Sequence, residues 1–323
     1  MAFFSTLLII FLLPAFVSAQ DRLRIAYAGG GSTAPVWIIQ ERGLLKKYNI
    51  SAEIIQINAS PAALQAMVAG DVDLNVTGVT NLVSARLAGI DVVMLMAVMP
   101  TFPNQLVALK SFNSVQDLKG KTGGITRFGS STDFTMRYIL KKAGLEPDKD
   151  VPLLQMGGQP ELAAGIEARR IFAAPMTPPA LQKTLKAGAR IQIPPKTIGL
   201  SFPHVGIVVR KTYLAAHRLI VKKFIAGYSE GVATLQKDKE GSKKAIGKFL
   251  HTDDAEVLEA SWQFGVDVIE RIPNLDPEMF KLVLEDRAQT RPEAKKFKPE
   301  QFFDDSVVKE LEKEGFFKKI FAR

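Results

Sequence analysis

The chain of 323 residues contains no cysteine and only three histidines, and both shortages exclude chemistry. Without cysteine there is no disulfide framework, no thiolate metal site, no cysteine nucleophile and no cysteine to carry an acyl anchor. His204, His217 and His251 have no second histidine or carboxylate at metal-ligand spacing, so no metal site and no cofactor are expected. His217 and His251 lie in charged, helical surroundings and read as surface residues. Gly29-Gly30-Gly31 follows a strand-like run but lacks the lysine of a phosphate-binding loop and the spacing of a dinucleotide fingerprint. Long apolar runs are scarce as well. Phe3 to Val17 is the exception, interrupted by Pro14 and too short for a comfortable membrane span.

That run ends in Val17-Ser18-Ala19 before Gln20-Asp21, with small residues where a signal peptidase needs them, so residues 1–19 read as a signal peptide cleaved after Ala19. Met1 to Thr6 carries no Lys or Arg, which keeps an uncleaved anchor or a misplaced start as alternatives. An exported chain without disulfides suits a bacterial periplasm. The net charge is +9, and residues 111–204 hold 13 Lys/Arg against 7 Asp/Glu. The basic residues fall mostly on helix faces, as in Lys141-Lys142 and Lys183/Lys186. They are not interleaved with aromatics in runs, so no nucleic-acid partner is expected. Two readings remain: solvated helix faces, or a field that attracts an anionic ligand.

What is present is a pattern that reads twice. Arg24 to Ala28 is strand-like and leads through Gly31-Ser32-Thr33 into a helix expected to run from Pro35 to Lys47. Gly124 to Phe128 leads through Ser130-Ser131-Thr132 into a second helix, and Leu64 to Asn81 matches Leu162 to Pro179 at an offset of 98. Strands alternating with helices imply mostly parallel sheets covered on both faces. Two α/β units of one plan predict two lobes with a cleft between them: 20–108 plus 206–323, and 109–205. Gln105 to Leu109 and Val205 to Val209 read as the two crossings, a hinge arrangement. From Lys211 onward the pattern is helical. The Phe-rich tail from Pro292 either wraps the first lobe or offers a partner surface.

Candidate binding residues sit where strands end, because ligands in open α/β sheets collect at the strand C-termini. Gly31, Ser32 and Thr33 open one helix; Ser130, Ser131 and Thr132, following Phe128, open its counterpart. Free N–H groups, hydroxyls and the helix dipole there suit a carboxylate or sulfonate, although Ser and Thr also cap helices without any ligand. Thr77, Gly78 and Thr80 follow the short strand of one unit, Met176 and Thr177 that of the other. Gln159 opens a further helix, and His204 precedes the return crossing. No catalytic residue is expected.

Ala34-Pro35-Val36-Trp37-Ile38, Gly43 to Ile50, Leu64 to Asp73, Asp117 to Thr122, Arg127 to Asp133 and Gly157-Gly158-Gln159-Pro160-Glu161 together resemble the substrate-binding proteins of nitrate/sulfonate/taurine-type ABC importers. The resemblance spans residues 22 to about 270 and extends to the related thiamine-precursor synthases. It implies an α/β type II periplasmic binding fold with helical C-terminal extension and ligand in the interlobe cleft. Where many relatives carry an Asp-Ala pair, this chain has Arg170-Ile171-Phe172-Ala173-Ala174, so no ligand name is carried over.

The expectation is a monomeric, non-enzymatic periplasmic protein that delivers a small organic anion to an inner-membrane ABC permease. The alternatives are an enzyme on the same fold, of pyrimidine-synthase or menaquinone-pathway lyase type, and an extracytoplasmic ligand sensor.

Overall fold

The structure is a computed structural model that describes residues 20–27, 33–57, 60–101, 103–193 and 201–322. Residues 1–19, expected from the sequence to be a signal peptide, and Gly31, Ser32 and Pro194-Pro195 lie outside the described residues. The chain begins with β1 (Asp21–Tyr27), α1 (Ala34–Arg42), β2 (Ile50–Gln56), α2 (Ser60–Ala69), β3 (Leu74–Thr77), α3 (Val79–Leu87) and β4 (Val92–Thr101). The second unit follows as β5 (Gln105–Leu109), β6 (Gly123–Ile125), α4 (Ser131–Lys142), β7 (Leu153–Gln155), α5 (Gln159–Glu167), β8 (Ala173–Met176), α6 (Ala180–Lys186) and β9 (Ala189–Ile193). Then come β10 (Ser201–Arg210), α7 (Lys211–Ala216), α8 (Arg218–Lys237), α9 (Lys239–Leu250), α10 (Ala255–Val268), α11 (Glu278–Ala288), α12 (Ser306–Lys313) and α13 (Phe316–Phe321).

Two five-stranded sheets result, ordered β2-β1-β3-β10-β4 and β7-β6-β8-β5-β9. They share one plan, matching position by position, with a visiting strand from one of the two crossings, β10 or β5, fourth in each. The visiting strand is the reversed one in each case. β10 pairs antiparallel with β3 and β4, and β5 antiparallel with β8 and β9, whereas β1–β2, β1–β3, β6–β7 and β6–β8 are parallel. Each sheet is therefore mixed, with four strands aligned and the visiting one opposed. The chain crosses between sheets at β4 to β5 and at β9 to β10.

One helix boundary differs from the sequence expectation. The helix that opens at Ala34 stops at Arg42, because Gly43 adopts φ +60° as a left-handed cap and sends its N–H to the Gln40 and Ile39 carbonyls. Leu44–Tyr48 continues only as a 3₁₀ turn.

Alternation along β1 divides the first lobe's core. Leu23, Ile25 and Tyr27 pack with α1 and α8, while Ala26 packs on the other face with α2, α3 and α11. That second cluster runs on without a break into Ile125, Phe134 and Leu140 of the second lobe, so apolar side chains join the lobes behind the cleft. The far face of the second sheet has its own cluster of Val107, Leu162, Ile166, Ile171 and Met176. The Phe-rich tail folds back onto the first lobe. Phe302 and Phe317 are buried, and Asp304 N–H donates to the Met94 carbonyl at 2.9 Å.

Candidate ligand-binding site

β3 ends at Thr77, and Gly78 opens α3 in an extended conformation with no side chain capping the helix. A Cβ at Gly78 would stand 2.7 Å from the Ser131 hydroxyl and 3.0 Å from the His204 carbonyl. The start of α3, the start of α4 and the crossing strand β10 thus meet at one point. Beside it, Asn75, Thr77 and Thr80 are at most 1% exposed. Both amide atoms of Asn75 and the hydroxyls of Thr77 and Thr80 have no hydrogen-bond partner among the described residues. Orphaned buried polar groups are costly, typically about 1–3 kcal/mol each, so this cluster is a polar spot inside the seam.

The matching loop in the second lobe is saturated. Ser130 is the cap of α4, its hydroxyl accepting from Asp133 N–H at 3.4 Å. The Thr132 hydroxyl accepts from Thr126 N–H at 2.9 Å, and the Thr126, Ser130 and Thr132 hydroxyls lie 2.9–3.0 Å from one another. Asp133 accepts from Gly129 N–H at 2.8 Å and from Arg137 Nε at 2.7 Å. Of the three hydroxyl residues at this helix start, Ser131 is the one placed towards the first lobe.

A cavity of about 430 Å³ opens between the lobes, with no residue in common with that seam. The first lobe supplies Trp37 of α1, Gln56 at the end of β2, and Phe249, Leu250, Thr252, Asp254 and Val257 around the α9–α10 turn. The second supplies Gln159, Pro160 and Ala163 of α5 and Pro179, Ala180, Lys183 and Lys186 at α6. Trp37 and Phe249 stack with centroids 6.1 Å apart and planes 7° from parallel. Trp37 Nε1 donates to Tyr27 Oη at 3.3 Å, and Tyr27 donates to Gln56 Oε1 at 3.1 Å, which fixes the indole. Burial raises the Tyr27 phenol above its ordinary value, the Trp37 bond opposing it, so this relay stays protonated at neutral pH.

Charge crosses the cavity mouth. Lys186 Nζ reaches Asp254 at 2.6 Å and Glu256 at 3.1 Å, joining α6 to the start of α10. The hydrogen bond with Asp254 raises the lysine, and the same contact holds the Asp254 carboxyl below its usual range. Asp254 also accepts from Glu256 and Val257 N–H as the cap of α10. Lys183, one turn before Lys186, has no ion pair among the described residues and places a positive charge at the cavity. The arrangement suits a small organic molecule with a flat or apolar body against the aromatic pair and an anionic group near Lys183.

The sequence candidates scatter over these features. Gln159 lines the cavity and accepts from Thr177 N–H at 3.4 Å. Thr77, Gly78, Thr80, Ser131 and the His204 backbone form the seam. Burial pushes the His204 imidazole down to about 3, so it is neutral across the physiological range. Thr33 is buried at the start of α1. Met176 belongs to the core of the second lobe, its sulfur accepting from Thr184 at 3.4 Å. Phe128 is 48% exposed beneath the Arg137 guanidinium and lines a different hollow. Sequence reasoning missed Trp37, Gln56, Phe249 and Asp254, and it left Lys183 and Lys186 between a solvated helix face and a field that attracts an anionic ligand.

Residues 31–241, which carry the seam and every strand of the two sheets except β1, match the NMT1/THI5-like family. The chain belongs to that family. A curated protein of Brucella abortus (strain 2308), described only as a candidate binding protein, is 28% identical over 254 residues, covering 75% of this chain and 76% of the relative. Among solved structures, a protein of Bordetella bronchiseptica RB50 superposes with a TM-score of 0.81 at 19% identity, covering 92% of this chain and 98% of its own. The periplasmic aliphatic sulphonate binding protein SsuA from Escherichia coli follows at 0.71 and 20% identity, with 88% and 92% covered. At that identity the likeness establishes the fold, that of periplasmic binding proteins.

Proposed function

We propose that this NMT1/THI5-like protein is the solute-binding component of an ABC importer, taking a small organic anion into the cavity between its lobes and presenting it to an inner-membrane permease. The observation that carries the reading is the cavity itself. It lies where the strands of both lobes end, has an aromatic wall on one lobe, and has an amide and an uncompensated lysine on the other. A solute held there touches both lobes and therefore stabilises their closed arrangement. The exposed Lys186 pair adds little on its own, since exposed ion pairs contribute weakly. The cargo supplies the difference between open and closed states, and the two crossings act as the hinge between 20–108 plus 206–323 and 109–205.

The titratable groups on the cavity favour binding over catalysis. Lys186 and Asp254 neutralise one another, and His204 stands at the seam rather than on the cavity. We read the protein as monomeric and exported to the periplasm, with residues 1–19 as its leader. Calorimetry with a panel of sulfonates and carboxylates tests the function. An anion that binds one-to-one unchanged, and binds at least tenfold more weakly to Lys183→Ala, supports it. A solute consumed on incubation would replace it with the enzyme reading.

A further inference from the structure

The polar side chains that line the cavity between the lobes differ in what they still have to offer, because most are already bonded. A backbone N–H can only donate, so the Gln159 atom that meets Thr177 N–H at 3.4 Å is the amide oxygen. Its Nε2, on the other arm of the same planar amide, has no partner among the described residues and is the arm left to meet a ligand. On the first lobe, Gln56 Oε1 is taken by the Tyr27 hydroxyl at 3.1 Å. Asp254 is committed on both oxygens. Oδ1 accepts from Glu256 and Val257 N–H at 3.0 and 3.1 Å, and Oδ2 accepts from Lys186 Nζ at 2.6 Å. The Thr252 hydroxyl accepts from Asp254 N–H at 3.2 Å and keeps its own proton to give.

Each side-chain acceptor on the described lining therefore already holds a protein donor. Gln159 Nε2, Lys183 Nζ and the Thr252 proton remain to be given. Charge is restricted in the same way. Lys183 and Lys186 against Asp254 leave a balance of one positive charge on the lining. A donor on the ligand would have to share an oxygen already in use, beside an ammonium. Leaving a desolvated donor unpaired costs more than a matched bond gains, so rejection comes from what the lining withholds.

Building on the anion-cavity reading, on which this step rests, we infer that Gln159 is a specificity-determining residue that selects a singly charged head group made of acceptors alone. A sulfonate or an ionised carboxylate meets that demand. A phosphonate that keeps one proton does not, although its shape and charge are those of a sulfonate, because its O–H finds no open acceptor among the described residues. Thr177 acts behind Gln159 through its backbone N–H, which holds the amide with the donor outward.

The test compares alkyl- and arylsulfonates with phosphonates of the same body by calorimetry, in mildly acidic buffer where the phosphonate carries one proton and one charge. Sulfonates should bind the wild type at least about tenfold more tightly, the cost of one unsatisfied donor. Gln159→Glu keeps an oxygen for Thr177 N–H and exchanges the outward donor for an acceptor. An acidic residue also suits the first turn of α5, so folding is not at stake. In that variant the preference should narrow at least about tenfold or invert. Phosphonates that bind the wild type as tightly as sulfonates, and still weaken in Lys183→Ala, overturn the selectivity and leave the anion cavity standing. Both anions weakened alike by Gln159→Glu overturn the assignment to Gln159. Binding of neither head group across the series removes the anion reading and this inference together.

Discussion

Gly78 of the first lobe and Ser131 of the second face each other so closely that a single added methyl group would come within 2.7 Å of the serine hydroxyl. The hydroxyl can rotate away, but the His204 carbonyl at 3.0 Å is backbone and cannot. Gly78→Ala is therefore expected to push the lobes apart at the seam. Small-angle scattering with cargo should show a larger radius than wild type, and cargo affinity should fall at least tenfold. Ser131→Ala in the same background should restore only part of the loss.

The hydroxyl-rich loop before α4 is expected to act on stability more than on binding. Thr132→Ala removes the acceptor of Thr126 N–H and one corner of the hydroxyl cluster. A cost of about 1–2 kcal/mol in a chemical melt, with cargo affinity within a factor of two, is the expected outcome. A tenfold loss of affinity at unchanged stability would return Thr132 to the ligand.

His204 should give the fold an acid sensitivity. Unfolded, its imidazole takes a proton near pH 6.5; folded, burial keeps it neutral down to about 3. Between those values the unfolded chain binds the additional proton, so stability falls as pH drops through that window, by up to about 1.4 kcal/mol per pH unit. Melting curves from pH 7 to 4 should show a steeper decline for wild type than for His204→Gln.

The Lys186 pair with Asp254 should modulate closure without governing it. Asp254 is depressed and Lys186 raised, so the pair is intact at neutral pH and is lost only as acid protonates the carboxylate below its ordinary range. Lys186→Ala is expected to weaken cargo binding less than about fivefold, an effect that high salt should erase in the wild type. Calorimetry at low and high salt distinguishes this from the salt-resistant loss expected of Trp37→Ala.

Much of the architecture was legible in the sequence because alternation and punctuation are local. Gly70-Asp71 and Gly89 end α2 and α3, and the order helix, short strand, helix recurs in the second unit as α5, β8 and α6, within a few residues of the offset read from the sequence. The seam residues Thr77, Gly78 and Ser131 were legible for the same reason, as polar residues at strand ends. The cavity was not. Phe249 and Asp254 reach it from a helical turn more than two hundred residues after Trp37, and no local pattern announces that packing. Lys183 and Lys186 carry the spacing of any solvated helix face, and only the placement of α10 opposite α6 gives Lys186 its partners and puts Lys183 at a cleft. Met176 was misplaced because alternation along the four residues of β8 cannot show which face lies over the core of its own lobe.

The most direct measurement is native mass spectrometry of the protein purified from its own host, wild type beside a Trp37→Ala/Lys183→Glu double variant. The account predicts that the wild type carries one small organic anion, released intact on denaturation, and that the double variant is empty. An equal load on both proteins, or none on the wild type at saturating extract, would contradict the claim that this cavity holds the cargo.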